Sequence, residues 1–164
     1  MIRIISVYGL VAGIIVTTPM LWHWLRLEPG DQPFGSVFVG YLTMIVALTM
    51  VFLGVKRHRD RALGGVIRFM PAFGVGLAIS LVASLLYVIA WEIVLAFGSF
   101  DFVAYYSKVM IDAGQAAEAE SFRTMYANPL IRVAMTFVEI FPVGILISAI
   151  SAGVLRNSRV LPAR

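Results

Sequence analysis

The 164-residue chain has no cysteine, so disulfides, thiolate metal sites and cysteine nucleophiles are excluded together. It has two histidines, His23 and His58. The topology derived below puts them on opposite sides of a membrane, so no His-rich metal site is expected. Charge is scarce as well. Only 13% of residues are Asp, Glu, Lys or Arg, against about a quarter in an ordinary soluble domain. With 60% hydrophobic residues and a mean hydropathy of +0.92, the composition is that of an integral membrane protein, and the length suits a single domain over 1–164. The net charge of +4 could suggest nucleic acid, but the basic turn over 56–68 is too short to offer a recognition element. Basic residues that hold loops on the cytoplasmic side are the simpler cause.

About 20 mostly apolar residues are needed for a helix to cross the hydrocarbon core. Uncharged runs cover 4–22, 32–55 and 69–91, and a shorter one covers 140–155. The last reaches spanning length by extending back through Glu139 to Pro129. Four transmembrane helices are therefore expected, at about 4–25, 34–55, 70–97 and 129–155. The first could be a signal peptide. It lacks a small-x-small cleavage site before Trp22-His23-Trp24, however, and it is long enough to span, so an uncleaved helix is expected.

The basic residues are unevenly shared between the two sides. Arg3, the group Lys56, Arg57, Arg59, Arg61 and Arg68, and then Arg156, Arg159 and Arg164 fall on one side, set against the single acid Asp60. Glu28, Asp31, Asp101, Asp112, Glu118 and Glu120 fall on the other. Both termini and the 56–68 loop are accordingly expected in the cytoplasm. That loop reads as a topology anchor touching anionic lipid head groups, with a docking site for an acidic partner as the alternative.

Between the third and fourth spans, Phe102, Tyr106, Val109, Met110 and Ala113 recur at helical spacing. They predict an outer amphipathic helix over about 100–127. Gly98 suits the preceding helix end, Ser99 or Asp101 the next cap, and Asn128-Pro129 a helix start. Small residues recur every four positions: Ala72, Gly76, Ser80 and Ser84; Gly144, Ser148 and Ala152; Gly9 and Gly13. Such stripes let backbones approach closely in lipid. Packing inside one chain is the first expectation and a homodimer face the second.

A charge inside hydrocarbon costs about 2.5–3.5 kcal/mol on insertion scales, so each one needs a partner or a purpose. Glu139 lies inside in every register. Arg132 lies near the outer surface, two turns away on the same face. Antiparallel packing brings Glu92 of helix three to that level, and His23 ends helix one there. Pro142 frees the carbonyl of Val138 and marks a kink. A Glu139–Arg132–Glu92 network that sets helix register is the first expectation. An outer-leaflet polar pocket for a small ligand or a proton is the alternative.

No phosphate-binding glycine loop, G-x-S-x-G or H-E-x-x-H occurs. No catalytic residue, cofactor or metal ligand is assigned.

The run GYLTMIVALTMVFLGVKRHRDRALGGVIRFMPAFGVGLAIS at 40–80 carries Gly54-x-Lys56, Arg59-Asp60 and Gly64-Gly65. The run MYANPLIRVAMTFVEIFPVGILIS at 125–148 carries Asn128-Pro129, Arg132 and Glu139-x-x-Pro142-x-Gly144. Together they resemble the bacterial membrane family catalogued as domain of unknown function 4199, over nearly the whole chain. The resemblance implies a four-helix inner-membrane protein and brings no activity with it. The expected function is thus a non-enzymatic bundle that binds, scaffolds or modulates membrane partners. The alternative is a small oligomeric transporter or proton-coupled permeation unit using the outer-leaflet Glu/Arg site.

Overall fold

The structure, a computed structural model, describes residues 1–29, 31 and 37–162. Six helices follow one another: α1 Ile2–Trp24, α2 Val37–Ala62, α3 Phe69–Phe97, α4 Phe102–Asp112, α5 Ala116–Ala127 and α6 Pro129–Leu155. Among the described residues there are no strands. Four of the helices, α1, α2, α3 and α6, are long and apolar enough to cross a membrane. The expected start of the second span near residue 34, and Arg164, lie outside the described residues.

Helix ends follow local chemistry. The Asp101 side chain accepts from the Ala104 amide at 2.9 Å and starts α4. Asn128 accepts from the amides of Leu130 and Ile131 at 3.0 and 3.4 Å, and Pro129 opens α6. α6 then runs unbroken through Pro142.

Two expectations change. The single helix over 100–127 is two helices. Gly114 takes a left-handed backbone (φ 80°), its amide donates to Ile111 and that of Gln115 to Met110. This pair of bonds closes α4 in a motif that favours glycine, and α5 starts afresh two residues on. The basic segment 56–68 is also mostly helix, not loop. α2 continues through Lys56, Arg57, Arg59 and Arg61 to Ala62 and stops only at Gly64 and Gly65, both at positive φ. Charge ends a membrane span but does not end a helix, and no breaker precedes Gly64. Arg68 alone lies beyond, at the N-cap position of α3.

α3 is the central element, packed against α1, α2 and α6; α2 also touches α1 and α6. One apolar cluster joins Leu48, Val51 and Val55 of α2 to Ala72, Val75 and Ile79 of α3 and to Ala152 and Leu155 of α6. A smaller one joins Val16, Met44, Ala47 and Ile140. The tightest contact is the α3–α6 seam. A Cβ on Gly76 would sit 2.9 Å from the Ser148 Cβ, and one on Gly144 would sit 2.7 Å from the Ser80 Cβ. Along the seam the Ser148 hydroxyl donates to the Gly144 carbonyl at 2.7 Å, and the Ser80 and Ser148 hydroxyls lie 3.3 Å apart. Gly9 and Gly13 of α1 meet Val82 and Leu86 of α3 in the same way. The small-residue stripes offered above as a second-choice homodimer face are thus filled by partners within the chain, because backbone approach inside one molecule uses them up.

Gly144→Leu should destabilise the fold by about 1–3 kcal/mol through overpacking against Ser80. Gly153→Leu, where nothing lies within 4 Å of the added Cβ, should be neutral. Thermal unfolding in detergent compares the two. Equal effects would mean that α3 and α6 do not meet along this seam.

Candidate functional site

The seam places the start of α6 beside the end of α3, and there Arg132 meets Glu92. The guanidinium grips the carboxylate with two bonds, Nε to Oε1 at 2.8 Å and Nη2 to Oε2 at 2.5 Å. Its remaining nitrogen, Nη1, donates to the Tyr126 carbonyl at 2.8 Å. The two side chains are 20% and 31% exposed, so the pair is shielded without being sealed. Bidentate geometry gives both strength and direction, which a lysine could not supply.

An aromatic cluster covers this ion pair. Trp91 stands edge-on to Trp24 and Phe102, with ring centres 5.4 and 4.9 Å away. Phe102 also touches Tyr106 and Tyr126, and Phe122 packs on Tyr126 at 4.5 Å. Burial pushes the Tyr126 hydroxyl above the ordinary tyrosine pKa. The cluster ties the ends of α1 and α3 to α4 and α5. The sequence carries no signal for this union, because aromatic rings in the separate helices α1, α3, α4 and α5 share no spacing.

Glu139 stands apart. The expected ion pair between Glu139 and Arg132 is not formed, since Glu92 and the Tyr126 carbonyl engage the guanidinium. Two helical turns separate residues 132 and 139, about 10 Å of rise, while Glu92 comes within bonding distance from the facing helix. The Tyr87 hydroxyl of the facing helix α3 lies near Glu139 instead. Glu139 is exposed on α6. It edges a shallow apolar depression of about 660 Å³ formed by Leu130, Ile131, Ala134, Met135 and Val138. His23 does not join the ionic group. It is half-buried and packs edge-on against Trp24 at 5.5 Å, and its Nε2 is buried with no hydrogen-bond partner among the described residues.

At the opposite, basic end, Arg59 is fully buried where contact with head groups was expected. It donates to the carbonyls of Leu155 at 3.3 Å and Val160 at 3.0 Å and to that of Leu161. It also pairs with Asp60 at 2.7 Å, which in turn holds Lys56 at 2.5 Å. Arg59 therefore satisfies carbonyls left free where α6 ends, a task that would otherwise need water or a cap. The other basic residues of the segment, Arg57, Arg61 and Arg68, are exposed. Among the described residues no group of three or more His, Asp or Glu side chains is placed to hold a metal ion.

These features define a multi-pass membrane protein whose long helices are pinned by one arginine at each end, with a single carboxyl displayed on an apolar flank. The chain belongs to the family described as Protein of unknown function (DUF4199), whose model matches residues 6–157. Comparison with curated proteins and with solved structures finds no match.

A double-mutant cycle on thermal stability in detergent, built from Glu92→Gln and Arg132→Gln, should give a coupling of about 1–2 kcal/mol. The cycle of Glu139→Gln with Arg132→Gln should be additive within about 0.5 kcal/mol. Strong coupling in the second cycle and none in the first would reverse the assignment of partners.

Proposed function

We propose that the chain is a four-span bundle of the bacterial inner membrane that works without catalysis, by binding another membrane component through the flank of α6. Both termini and the basic end face the cytoplasm in this reading, supported by the concentration of Lys and Arg at that end. α4 then lies on the outer face, with Phe102 and Tyr106 part-buried, Ser107 buried and Val109 exposed. Absence of any soluble-enzyme motif from the sequence favours a non-catalytic role.

One observation carries the proposal. Glu139 is ionisable, lies within a span, is exposed on α6 and edges an apolar depression, with no ion-pair partner among the described residues and the Tyr87 and Tyr126 hydroxyls near it. Lipid tails cannot solvate such a group, so its presence there is a standing cost. A transmembrane helix presenting a basic or hydrogen-bonding side chain at that depth would remove the cost and fill the depression. The Tyr87–Glu139 pair also supports a second reading, a protonatable site in a small oligomeric permeation unit. Against it, Arg132 and Glu92 are occupied with each other and cannot relay a proton.

A photo-crosslinking residue in place of Val138, in native membranes, should give a discrete protein adduct that Glu139→Leu abolishes while the fold persists. Adducts to lipid alone would overturn the docking reading. Loss of an imposed pH gradient in proteoliposomes, stopped by Glu139→Gln, would replace it with the permeation reading.

A further inference from the structure

The basic end holds a second site. Leu53, Arg57, Asp60 and Arg61 recur at three- and four-residue spacing, so they share one face of α2. That face, with Lys56 beside it in its ion pair to Asp60, forms one wall of a cleft of about 620 Å³, with Tyr8 of α1 on one side and Leu161 and Pro162 of the C-terminal segment on the other. The C-terminal wall is built, not incidental. Leu161 takes a left-handed backbone (φ 49°), a conformation unfavourable for an L residue, and Arg59 grips the carbonyls on both sides of the Val160–Leu161 step.

Charge in the cleft is unbalanced. Asp60 is already engaged by Arg59 and Lys56. Arg57 and Arg61 are exposed and have no ion-pair partner among the described residues. They stand one turn apart, about 5–6 Å between Cβ atoms, which suits two guanidinium groups converging on one phosphate. Below them Leu53 and Tyr8 continue the cleft toward the apolar span. A small aqueous anion would leave that part empty, whereas a phosphodiester carrying acyl chains fills both halves.

We propose that this cleft binds the phosphate of an anionic phospholipid, with Arg57 and Arg61 as its ligands and Leu53 and Tyr8 against the glycerol and upper acyl region. The inference rests on the four long helices being membrane spans, and is independent of any role for Glu139. It goes beyond a general attraction between basic residues and head groups, because it names two arginines and excludes their neighbours.

The test uses the full chain in nanodiscs of phosphatidylcholine with a minor fraction of phosphatidylglycerol, and native mass spectrometry counts the lipids retained. The wild type should retain phosphatidylglycerol selectively. Arg57→Gln with Arg61→Gln should weaken retention roughly fivefold per arginine, about 25-fold together. Arg68→Gln with Arg156→Gln, at the same end but outside the cleft, should change it little. Circular dichroism checks helicity, and Arg61→Gln alone serves if the double variant unfolds. Glu139→Leu should retain the lipid, which separates this test from the docking reading. An equal loss in the Arg68/Arg156 pair would overturn the site in favour of a diffuse surface potential. Displacement of the lipid by millimolar inorganic phosphate would make it an aqueous anion site instead.

Discussion

The close approach of α3 and α6 is the contact on which the rest of the molecule depends. Nothing in lipid drives apolar helices together as water does, so van der Waals contact and buried hydrogen bonds must hold them. Glycine facing serine at both Gly76/Ser148 and Gly144/Ser80 brings two backbones within a side-chain atom of each other. The serine hydroxyls then satisfy one another and the Gly144 carbonyl. Because the small residues interlock in only one register, this seam decides which residues face each other at either end. Slipping α6 by one turn would put Gly144 and Ser148 against the wrong partners and carry Arg132 away from Glu92.

With the register set, the charges that cannot reach water are disposed of in two ways. Arg132 and Arg59 sit at opposite ends, and each spends its donors on a carboxylate and on main-chain carbonyls. A planar guanidinium can serve several acceptors at once, so a single side chain joins α6 to α3 at one end and the segment after α6 to α2 at the other. Removing one partner from such a group leaves a poorly compensated charge, which is why the links are strong in one direction only. Glu139 is the exception, exposed at the edge of an apolar depression and without an ion-pair partner among the described residues.

Much of this architecture can be read from the residues, and the failures have physical causes. The uncharged runs and the caps at Asn128 and Asp101 locate α1, α3, α4 and α6 because membrane burial and capping are local effects. The end of α2 lies beyond the uncharged run because the edge of the hydrocarbon and the edge of a helix are different boundaries. Gly114 sits inside an otherwise helical pattern that hides the break, although glycine after an apolar run is a recognised stop. Antiparallel packing brought Glu92 to the level of Arg132, but which carboxylate would take the guanidinium depended on which helix faces it. The burial of Arg59 had no sequence signal at all. Apart from the neighbouring Asp60, its acceptors lie 96 to 102 residues away, and they are main-chain carbonyls, whose identity no side chain announces.

The register of the seam can be measured directly, because the chain has no native cysteine to interfere. Replacing Ser80 and Ser148 with cysteine in the same molecule changes little volume and sets two thiols where hydroxyls lie 3.3 Å apart. Mild oxidation in membranes should form a disulfide within single chains, close to the separation such a bond requires, while the pair at positions 84 and 148 should not react. A disulfide that joins separate chains, or one that forms only in the displaced pair, would contradict the account.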